Sequence, residues 1–327
     1  TVTISPNAKY FIDSYSQVDI PPIHEVRDMN GKLVSTLEKT DISRLTATGW
    51  KPPTPFTVKS AQGQWDLYGL LYTPKAMKLD EKLPVIVNIY PGPQGGSVGS
   101  WSFIASRGDN QALAELGFVV VQIEGSCNPN RSKSFHDACY GNMGENTLPD
   151  QISGLKQLQE KYEFLDLDNV GIWGHSGGGF ATAAAMFKYP DFFKVGISES
   201  GNHDNRNYED DWGERYIGLE TKDNNGVSNY EKQANQIFAK DLKGKLLLIH
   251  GGMDDNVPPY NSYLVVDALI KANKDFDFIL LPNARHGYGK DSYYIMRRRW
   301  DYFVQNLMHA VPPKEYVIKI AADPRNK

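Results

Sequence analysis

The sequence predicts an α/β fold in which a mostly parallel sheet carries helices on both faces. Short apolar runs rich in β-branched residues alternate with stretches of helical pattern through most of the chain. Several runs are apolar throughout, which is typical of strands that are covered on both faces. A proline-rich stretch at residues 51–55 separates this part from a strand-and-turn segment before it.

Composition agrees with a globular chain and excludes some classes of partner. Of its 327 residues, 40% are hydrophobic and 23% charged, which is enough apolar material for a sizeable core. The formal net charge of -4 argues against nucleic acid, which favours a basic surface. No apolar run approaches the roughly 18 residues of a membrane span. The chain does not begin with Met, and we expect a piece of a longer protein. The sequence leaves its compartment open, and the candidate is an extracytoplasmic location, secreted or periplasmic.

The first 50 residues predict strands and turns. Residues 10–12, 24–27 and 33–37 read as strands, and Asp28-Met-Asn-Gly31 supplies an Asn-Gly hairpin turn. We expect residues 51–55 to be a stiff connector, because proline fixes φ and disfavours helix before it. The predicted domains are therefore a β segment over 1–50 and a catalytic α/β domain over 51–327.

The predicted elements of the second part alternate along the chain. Strands are expected at residues 67–72, 85–90, 118–123, 170–173, 195–198, 246–250 and 276–281. Helices are expected at residues 111–116, 150–162, 176–188, 261–272 and 292–308. Strands that alternate with helices indicate a parallel sheet covered on both faces.

The segment Gly174-His-Ser176-Gly-Gly178 carries the strongest chemical signal. It is a G-x-S-x-G pattern that follows an apolar strand and opens an alanine-rich helix, the context of a nucleophile elbow. Glycines there leave room for a strained turn, and a helix N-terminus favours negative charge on a substrate oxygen. The alternative is a structural turn or a phosphate cradle, but no P-loop or dinucleotide-binding pattern accompanies the segment. The sequence thus predicts an α/β-hydrolase fold with Ser176 as nucleophile.

A serine hydroxyl needs a base, and chain order narrows the choice. In this fold the order is Ser, then Asp or Glu, then His. Asp254 and Asp255 follow one predicted strand, and His286 follows the next, so all three lie at strand ends where catalytic groups gather. We expect His286 to be the base, while the residues alone leave the acid open between Asp254 and Asp255.

Three other histidines lie downstream of Ser176. His250 ends a strand and is expected to be structural, and His309 is expected late in a helix, where it caps or packs. His203 belongs to a polar insertion, and a contact with substrate is left open for it.

The two cysteines, Cys127 and Cys139, lack the spacing of a zinc site. We expect two unpaired thiols and leave a disulfide as the alternative. No metal and no cofactor are expected.

Five motifs in order resemble the prolyl oligopeptidase family of serine peptidases, and within it the dipeptidyl peptidase IV branch. The similarity runs from about Thr54 onward. The motifs are Tyr90-Pro-Gly-Pro93, Gly174-His-Ser-Gly-Gly178, Glu214-Arg-Tyr-Ile-Gly218, His250-Gly-Gly-Met-Asp-Asp-Asn-Val257 and His286-Gly287. The first 50 residues are similar to the closing strands of the β-propeller that precedes this domain in the family. A propeller outside this chain and a homodimer are therefore candidate partners, beside a peptide substrate.

The resemblance implies roles for individual residues. Ser176, Asp254 and His286 take the triad positions, because the family's acid is the first Asp of the Asp-Asp-Asn-Val segment. The oxyanion hole is assigned to the Tyr90 hydroxyl and the Gly177 N–H. The substrate-binding positions are Asn256, for a substrate carbonyl, and Tyr208 and Trp212, which match aromatic walls of the proline-sized S1 pocket, where the residue before the scissile bond binds.

Departures from the family pattern concern specificity. Gly177 stands where the family usually has an aromatic residue, and Asn205 stands where dipeptidyl peptidase IV has a tryptophan. Glu124-Gly-Ser-Cys127 replaces a usual Asp-x-Arg-Gly segment. We therefore expect a wider pocket and a weaker preference for proline.

The resemblance implies a peptidase that hydrolyses short peptides by acyl transfer to Ser176. An esterase or acyl-aminoacyl hydrolase on the same triad is the alternative. A non-catalytic binding module is disfavoured, because Ser176, Asp254, His286 and Tyr90 are all present.

Overall fold

The computed structural model describes residues 1–78 and 80–319. Their strands form one sheet of four and one sheet of eight. The strands are β1 (Val2–Ile4), β2 (Tyr10–Tyr15), β3 (Ile23–Asp28), β4 (Leu33–Lys39), β5 (Thr54–Lys59), β6 (Asp66–Tyr72), β7 (Leu83–Asn88), β8 (Val119–Ile123), β9 (Leu165–His175), β10 (Phe193–Glu199), β11 (Lys245–Gly251) and β12 (Asp277–Leu281). The α-helices are α1 (Ser43–Thr46), α2 (Asn110–Glu115), α3 (Lys133–His136), α4 (Leu148–Lys161), α5 (Gly177–Lys188), α6 (Asp210–Tyr216), α7 (Tyr260–Lys271) and α8 (Ser292–Asn306).

The eight-stranded sheet has the order β12-β11-β10-β9-β7-β8-β6-β5. Pairing is parallel from β12 to β8, whereas β6 runs antiparallel to both of its neighbours. The predicted α/β fold with a mostly parallel sheet is confirmed. Because the carboxyl ends of parallel strands share one edge, the loops after β9, β11 and β12 all leave the sheet there.

Helices cover both faces of this sheet. One core cluster contains Val85 and Val87 together with apolar residues of α4, α5 and α7. The other contains Ile86 with residues of α2 and α8. Successive residues of a strand point to opposite faces, so the apolar run Val85–Val87 of β7 contributes to both clusters. This explains why the run is continuously apolar rather than alternating.

The proline-rich stretch is only partly a connector. Thr54 and Pro55 already belong to β5, which pairs with β6 alone at the edge of the sheet. An edge strand accepts proline because the missing N–H can face away from the ladder. The expectation of a connector over residues 51–55 was therefore wrong at its C-terminal end.

The four-stranded sheet is antiparallel in the order β1-β2-β3-β4. It includes the three strands predicted from the sequence and adds β1. The residues of β4 are all exposed. The segment that follows β2 is attached to the second part of the chain: Ser16 accepts a hydrogen bond from the Phe103 amide at 3.1 Å, and Val18 is buried in the second core cluster.

The two cysteines form a disulfide, which corrects the expectation of unpaired thiols. The short helix α3 folds the intervening segment back on itself, so that the Cα atoms of Cys127 and Cys139 lie 5.8 Å apart. Sequence spacing did not reveal this return of the chain.

None of the described helices has the length and apolar character required to span a membrane. Within the described ranges, no cluster of three or more His, Cys, Asp or Glu side chains has the arrangement of a metal site.

Candidate active site

Ser176 occupies a sharp turn between β9 and α5. Its backbone has φ 60° and ψ -122°, a region that residues other than glycine rarely adopt. The residue therefore projects from the sheet edge at the N-terminus of α5. The first N–H groups of a helix lack partners within the helix, so this position offers donors to a developing negative charge.

Close backbone approach explains the glycines around Ser176. A Cβ atom on Gly174 would lie 2.4 Å from the Ile89 carbonyl oxygen, and one on Gly178 would lie 2.3 Å from the same oxygen. No real Cβ tolerates such distances, so both positions require glycine. Gly177 differs, because its Cβ would meet nothing closer than the Tyr90 ring at 3.8 Å. Glycine is therefore required at positions 174 and 178, whereas position 177 has room for a side chain.

Asp254 lies in the loop after β11 and is buried. Its Oδ1 accepts the amide hydrogens of Asn256 at 3.1 Å and Val257 at 2.9 Å. Its Oδ2 lies 2.7 Å from His286 Nδ1 and 3.4 Å from His250 Nε2. Burial alone would raise the pKa of Asp254, but the hydrogen bonds from His250, His286 and Val257 outweigh it and hold that pKa well below its ordinary value. The carboxylate is therefore ionised beside the histidine.

Its neighbour Asp255 has a different environment. Asp255 is exposed and pairs with Arg285 on the surface. Of the two acids left open by the residues alone, only Asp254 contacts His286, and this matches the position implied by the family resemblance.

His286 directs its second ring nitrogen away from Asp254. Because Nδ1 is held by the carboxylate, Nε2 is the nitrogen left to exchange a proton with Ser176. Across the described residues, no hydrogen bond yet joins the Ser176 hydroxyl to His286. Such bonds are commonly long without substrate and shorten in the complex.

His175, the residue before the nucleophile, packs against His286, with ring centroids 4.5 Å apart. Its Nδ1 lies 3.7 Å from the buried Glu199 carboxylate, and Tyr288 meets the ring edge-on. Glu199 is in turn bound by Arg299 at 2.7 Å. Burial opposes ionisation of Glu199, but the Arg299 charge and the contact with His175 lower its pKa below the ordinary value.

Arg299 also binds Asp109 at 2.6 Å, so one buried cation links two buried carboxylates behind the site. Sequence reasoning missed this network. The sequence signal for it is Glu199 at the end of an apolar strand, since a charge there needs a buried partner.

Tyr90 and Gly177 lie side by side. The Tyr90 hydroxyl is 3.9 Å from the position that a Gly177 Cβ would occupy. Burial raises the pKa of Tyr90 and outweighs the opposite effect of a hydrogen bond from Gln94, so the hydroxyl keeps its proton as a donor. Two donors can therefore converge beside Ser176.

A pocket opens next to Ser176 and contains both aromatic residues implied by the resemblance. Tyr208 and Trp212 pack edge-to-face with ring centroids 5.7 Å apart. Asn205 is buried in the wall and accepts a hydrogen bond from Asn202 at 2.7 Å. The lining consists of Pro91, Gly92, Gln94, Met143, Asn146, Ser176, Gly177, Phe180, Asn202, Asn205, Tyr208 and Trp212.

Asn256 is not part of this lining. It follows Asp254 on an exposed stretch of the loop, so the structure does not bring it together with the pocket residues.

The remaining histidines lie outside the pocket. His203 is fully buried and bonded to Asn235 at 3.0 Å, and burial with the nearby His250 lowers its pKa to about 3. His203 does not line the pocket next to Ser176, so the structure offers no support for the substrate contact left open for it. His250 is buried and bonded to Ser262 at 2.7 Å and to the Val257 carbonyl at 2.9 Å, as expected of a structural residue. His309 lies beyond the end of α8, so its expected place within a helix was wrong.

Comparisons with known proteins agree on one family. The model of the prolyl oligopeptidase family matches residues 103–310. Dipeptidyl peptidase 8 of Homo sapiens is 31% identical over 294 residues, which cover 86% of this chain and 32% of that protein. Venom dipeptidyl peptidase 4 of Vespula vulgaris is 31% identical over 236 residues, 70% of this chain and 30% of the relative. The chain thus spans about a third of the length of these curated relatives.

Solved structures give the same picture. A putative dipeptidyl aminopeptidase IV from Bacteroides ovatus ATCC 8483 superposes with a TM-score of 0.85 at 29% identity, covering 94% of this chain and 43% of the other. Dipeptidyl peptidase 4 of Porphyromonas gingivalis gives a TM-score of 0.81 at 26% identity, with the same coverage.

Proposed function

The chain belongs to the prolyl oligopeptidase family, and on that premise we propose that it is a serine peptidase that cleaves short peptides through an acyl-enzyme on Ser176. The observation that carries the proposal is the 2.7 Å contact between His286 and the buried Asp254, at the sheet edge from which the strained Ser176 projects. Acid, base and nucleophile come from three different loops, and chance packing does not explain an ionised acid aimed at the base.

Each residue then has one chemical task. Ser176 Oγ attacks the substrate carbonyl carbon while His286 Nε2 takes its proton. Asp254 holds the histidine tautomer and stabilises the imidazolium. The carbonyl oxygen becomes an oxyanion, which receives hydrogen bonds from the Tyr90 hydroxyl and the Gly177 N–H. His286 next protonates the leaving amine, and the C–N bond breaks. Water then attacks the acyl carbon while His286 takes its proton. The bond between Ser176 Oγ and the acyl carbon breaks, His286 returns the proton to Ser176, and the carboxylic acid leaves.

The pocket beside Ser176 is proposed as the S1 site. Tyr208 and Trp212 offer flat apolar walls to the residue before the scissile bond. Gly177 and Asn205 lack the bulk that the family pattern places there, so we propose a pocket that also accepts residues larger than proline. Asn256 is proposed to contact a substrate carbonyl from the exposed loop.

The four-stranded sheet is proposed to be the end of a β-propeller contributed by a longer chain. Its support is the exposure of β4, together with the relatives' greater length. The boundary at residues 51–55 and assembly as a homodimer belong to the same proposal.

The activity is tested by measuring how the full chain hydrolyses two substrates. A dipeptide amide with proline before the cleaved bond and a simple aryl ester are assayed beside Ser176→Ala. Hydrolysis of both substrates, lost in Ser176→Ala, is the expected result. Ester hydrolysis without amide hydrolysis makes the chain an esterase or acyl-aminoacyl hydrolase. Hydrolysis of neither contradicts an enzyme and leaves a binding module.

A further inference from the structure

Gln94 connects two residues of the proposed site. Its Nε2 lies 2.8 Å from the Tyr90 hydroxyl, and its Oε1 lies 3.2 Å from the Trp212 indole nitrogen. Tyr90 belongs to the proposed oxyanion hole, and Trp212 to the proposed S1 wall. One amide side chain therefore contacts both the part of the site that stabilises charge and the part that holds the substrate.

The direction of these bonds follows from chemistry alone. An indole N–H can donate but cannot accept, so the amide oxygen of Gln94 must face Trp212. The amide NH2 group then faces Tyr90, and the Tyr90 oxygen is the acceptor of that bond. A phenol that accepts with a lone pair keeps its own hydrogen for another acceptor. The hydrogen of Tyr90 is thus left for an oxygen beside Gly177.

The backbone that carries Gln94 is anchored on both sides. Before it, the carbonyl oxygen of Gly92 accepts a hydrogen bond from Asn146 at 3.2 Å, and the Pro93 carbonyl lies 2.9 Å from His136 Nε2. After it, the half-buried carboxylate of Glu124 accepts the amide hydrogens of Val98 at 2.7 Å and Gly99 at 2.8 Å. The loop is therefore held by separate elements.

From this geometry we propose that Gln94 is a positioning residue that keeps Tyr90 oriented as a hydrogen-bond donor to the oxyanion. The inference rests on the proposed role of Tyr90. It also links the two halves of the site, because the orientation of the amide depends on Trp212. A substrate side chain that fills the S1 pocket against Trp212 thereby influences the Tyr90 hydroxyl, the donor that stabilises the transition state.

Two substitutions at Gln94 separate orientation from bulk. Gln94→Glu keeps the size, but its carboxylate can only accept, so it takes the Tyr90 hydrogen and places a negative charge near the oxyanion. Gln94→Met keeps the length and carries no amide. Gln94 is exposed to solvent, so water replaces part of the lost contact in Gln94→Met. Gln111→Met, on α2 and away from the pocket, is the matched control.

The experiment measures kcat and KM for aryl ester hydrolysis by the full chain and these variants, with Tyr90→Phe and the double variant Gln94→Met/Tyr90→Phe. Tyr90→Phe is expected to lower kcat by about 10²–10³ and Gln94→Glu by about 10², with KM within about threefold for each. When Tyr90 is unchanged, Gln94→Met is expected to lower kcat by about 3–10-fold, which corresponds to the loss of one net hydrogen bond. Gln111→Met is expected to leave kcat unchanged.

The double variant decides between a positioning role and a direct one. If Gln94 acts through the Tyr90 hydroxyl, Gln94→Met has no further effect once that hydroxyl is absent. An equal loss in both backgrounds would overturn the inference, because Gln94 would then act independently of Tyr90. A normal kcat in Gln94→Glu beside an impaired Tyr90→Phe also overturns it while leaving the proposed function intact. A normal kcat in Tyr90→Phe removes the oxyanion assignment itself.

Discussion

The two sides of the proposed active site are built in different ways. The strand-end side, made of Ser176, Asp254 and His286, follows β9, β11 and β12 and is enclosed by buried groups. On the loop side, made of Gln94, Tyr208 and Trp212, a solvent-exposed hydrogen bond joins Gln94 to Trp212, and Tyr208 packs edge-to-face on Trp212. Position on the first side is set by close packing, and on the second by a few replaceable contacts. We therefore expect the largest losses of kcat on the strand-end side, and smaller losses of kcat or a changed selectivity on the loop side.

The largest effect is expected at the acid. Asp254→Asn replaces the carboxylate that holds His286 at 2.7 Å and favours the wrong histidine tautomer, so kcat should fall by about 10⁴. Steady-state hydrolysis of the aryl ester measures the change, with circular dichroism to establish that the variant is folded.

Asp255→Asn is the matched control, because it changes an adjacent carboxylate that pairs with Arg285 on the surface. Exposed pairs contribute about 0–1 kcal/mol, so its kcat should remain close to that of the natural chain. A larger loss of kcat in Asp255→Asn than in Asp254→Asn would mean that Asp255 is the acid. That result would contradict the strand-end geometry.

The adjacent glycines Gly177 and Gly178 allow a tightly packed position to be compared with one that lies beside open space. Gly178→Ala places a Cβ 2.3 Å from the Ile89 carbonyl oxygen, so the turn must shift, which commonly costs about 1–3 kcal/mol and displaces Ser176. A shift of about 1 Å is sufficient to lower kcat by about 10². Gly177→Ala has no neighbour closer than 3.8 Å and should retain its activity and its thermal midpoint. Thermal unfolding and kcat measured on both variants check this, and equal tolerance of the two would refute the packing account.

The smallest effect concerns selectivity on the loop side. Gly177→Phe with Asn205→Trp restores bulk beside Tyr208 and Trp212 and should raise the preference for proline over leucine by about 10–100-fold, the range of an apolar contact. The measurement is kcat/KM for matched substrates with Pro, Ala, Leu or Phe before the cleaved bond. If the unaltered chain already prefers proline by more than about 10³, other residues close the pocket.

The same contrast explains what could be predicted from the sequence. The family and the parallel α/β fold followed from apolar strands and ordered motifs, and both are confirmed. Ser176 and His286 were reached from local pattern and chain order. The choice of Asp254 over Asp255 needed the family resemblance, because adjacent loop residues look equivalent until their burial is known.

The remaining features depend on contacts between distant segments. Gln94 meets Trp212 across 118 positions, and Arg299 meets Glu199 across 100, so neither pair leaves a local pattern. The disulfide between Cys127 and Cys139 depends on how α3 folds the chain back. The pairing of Pro55 in β5 depends on the strand lying at an edge. Each of these features was missed for the same physical reason. The periodicity of a sequence indicates which residues of one element are buried, but it does not indicate which distant segment they contact.

The central claim is that the turn at Ser176 carries the one activated nucleophile. Incubation of the folded chain with a fluorophosphonate, followed by peptide mass spectrometry, tests it most directly. Covalent modification at Ser176 alone, lost in Ser176→Ala and slowed by orders of magnitude in Asp254→Asn, is the predicted result. Modification of another residue, or undiminished labelling of Ser176→Ala, would contradict the account.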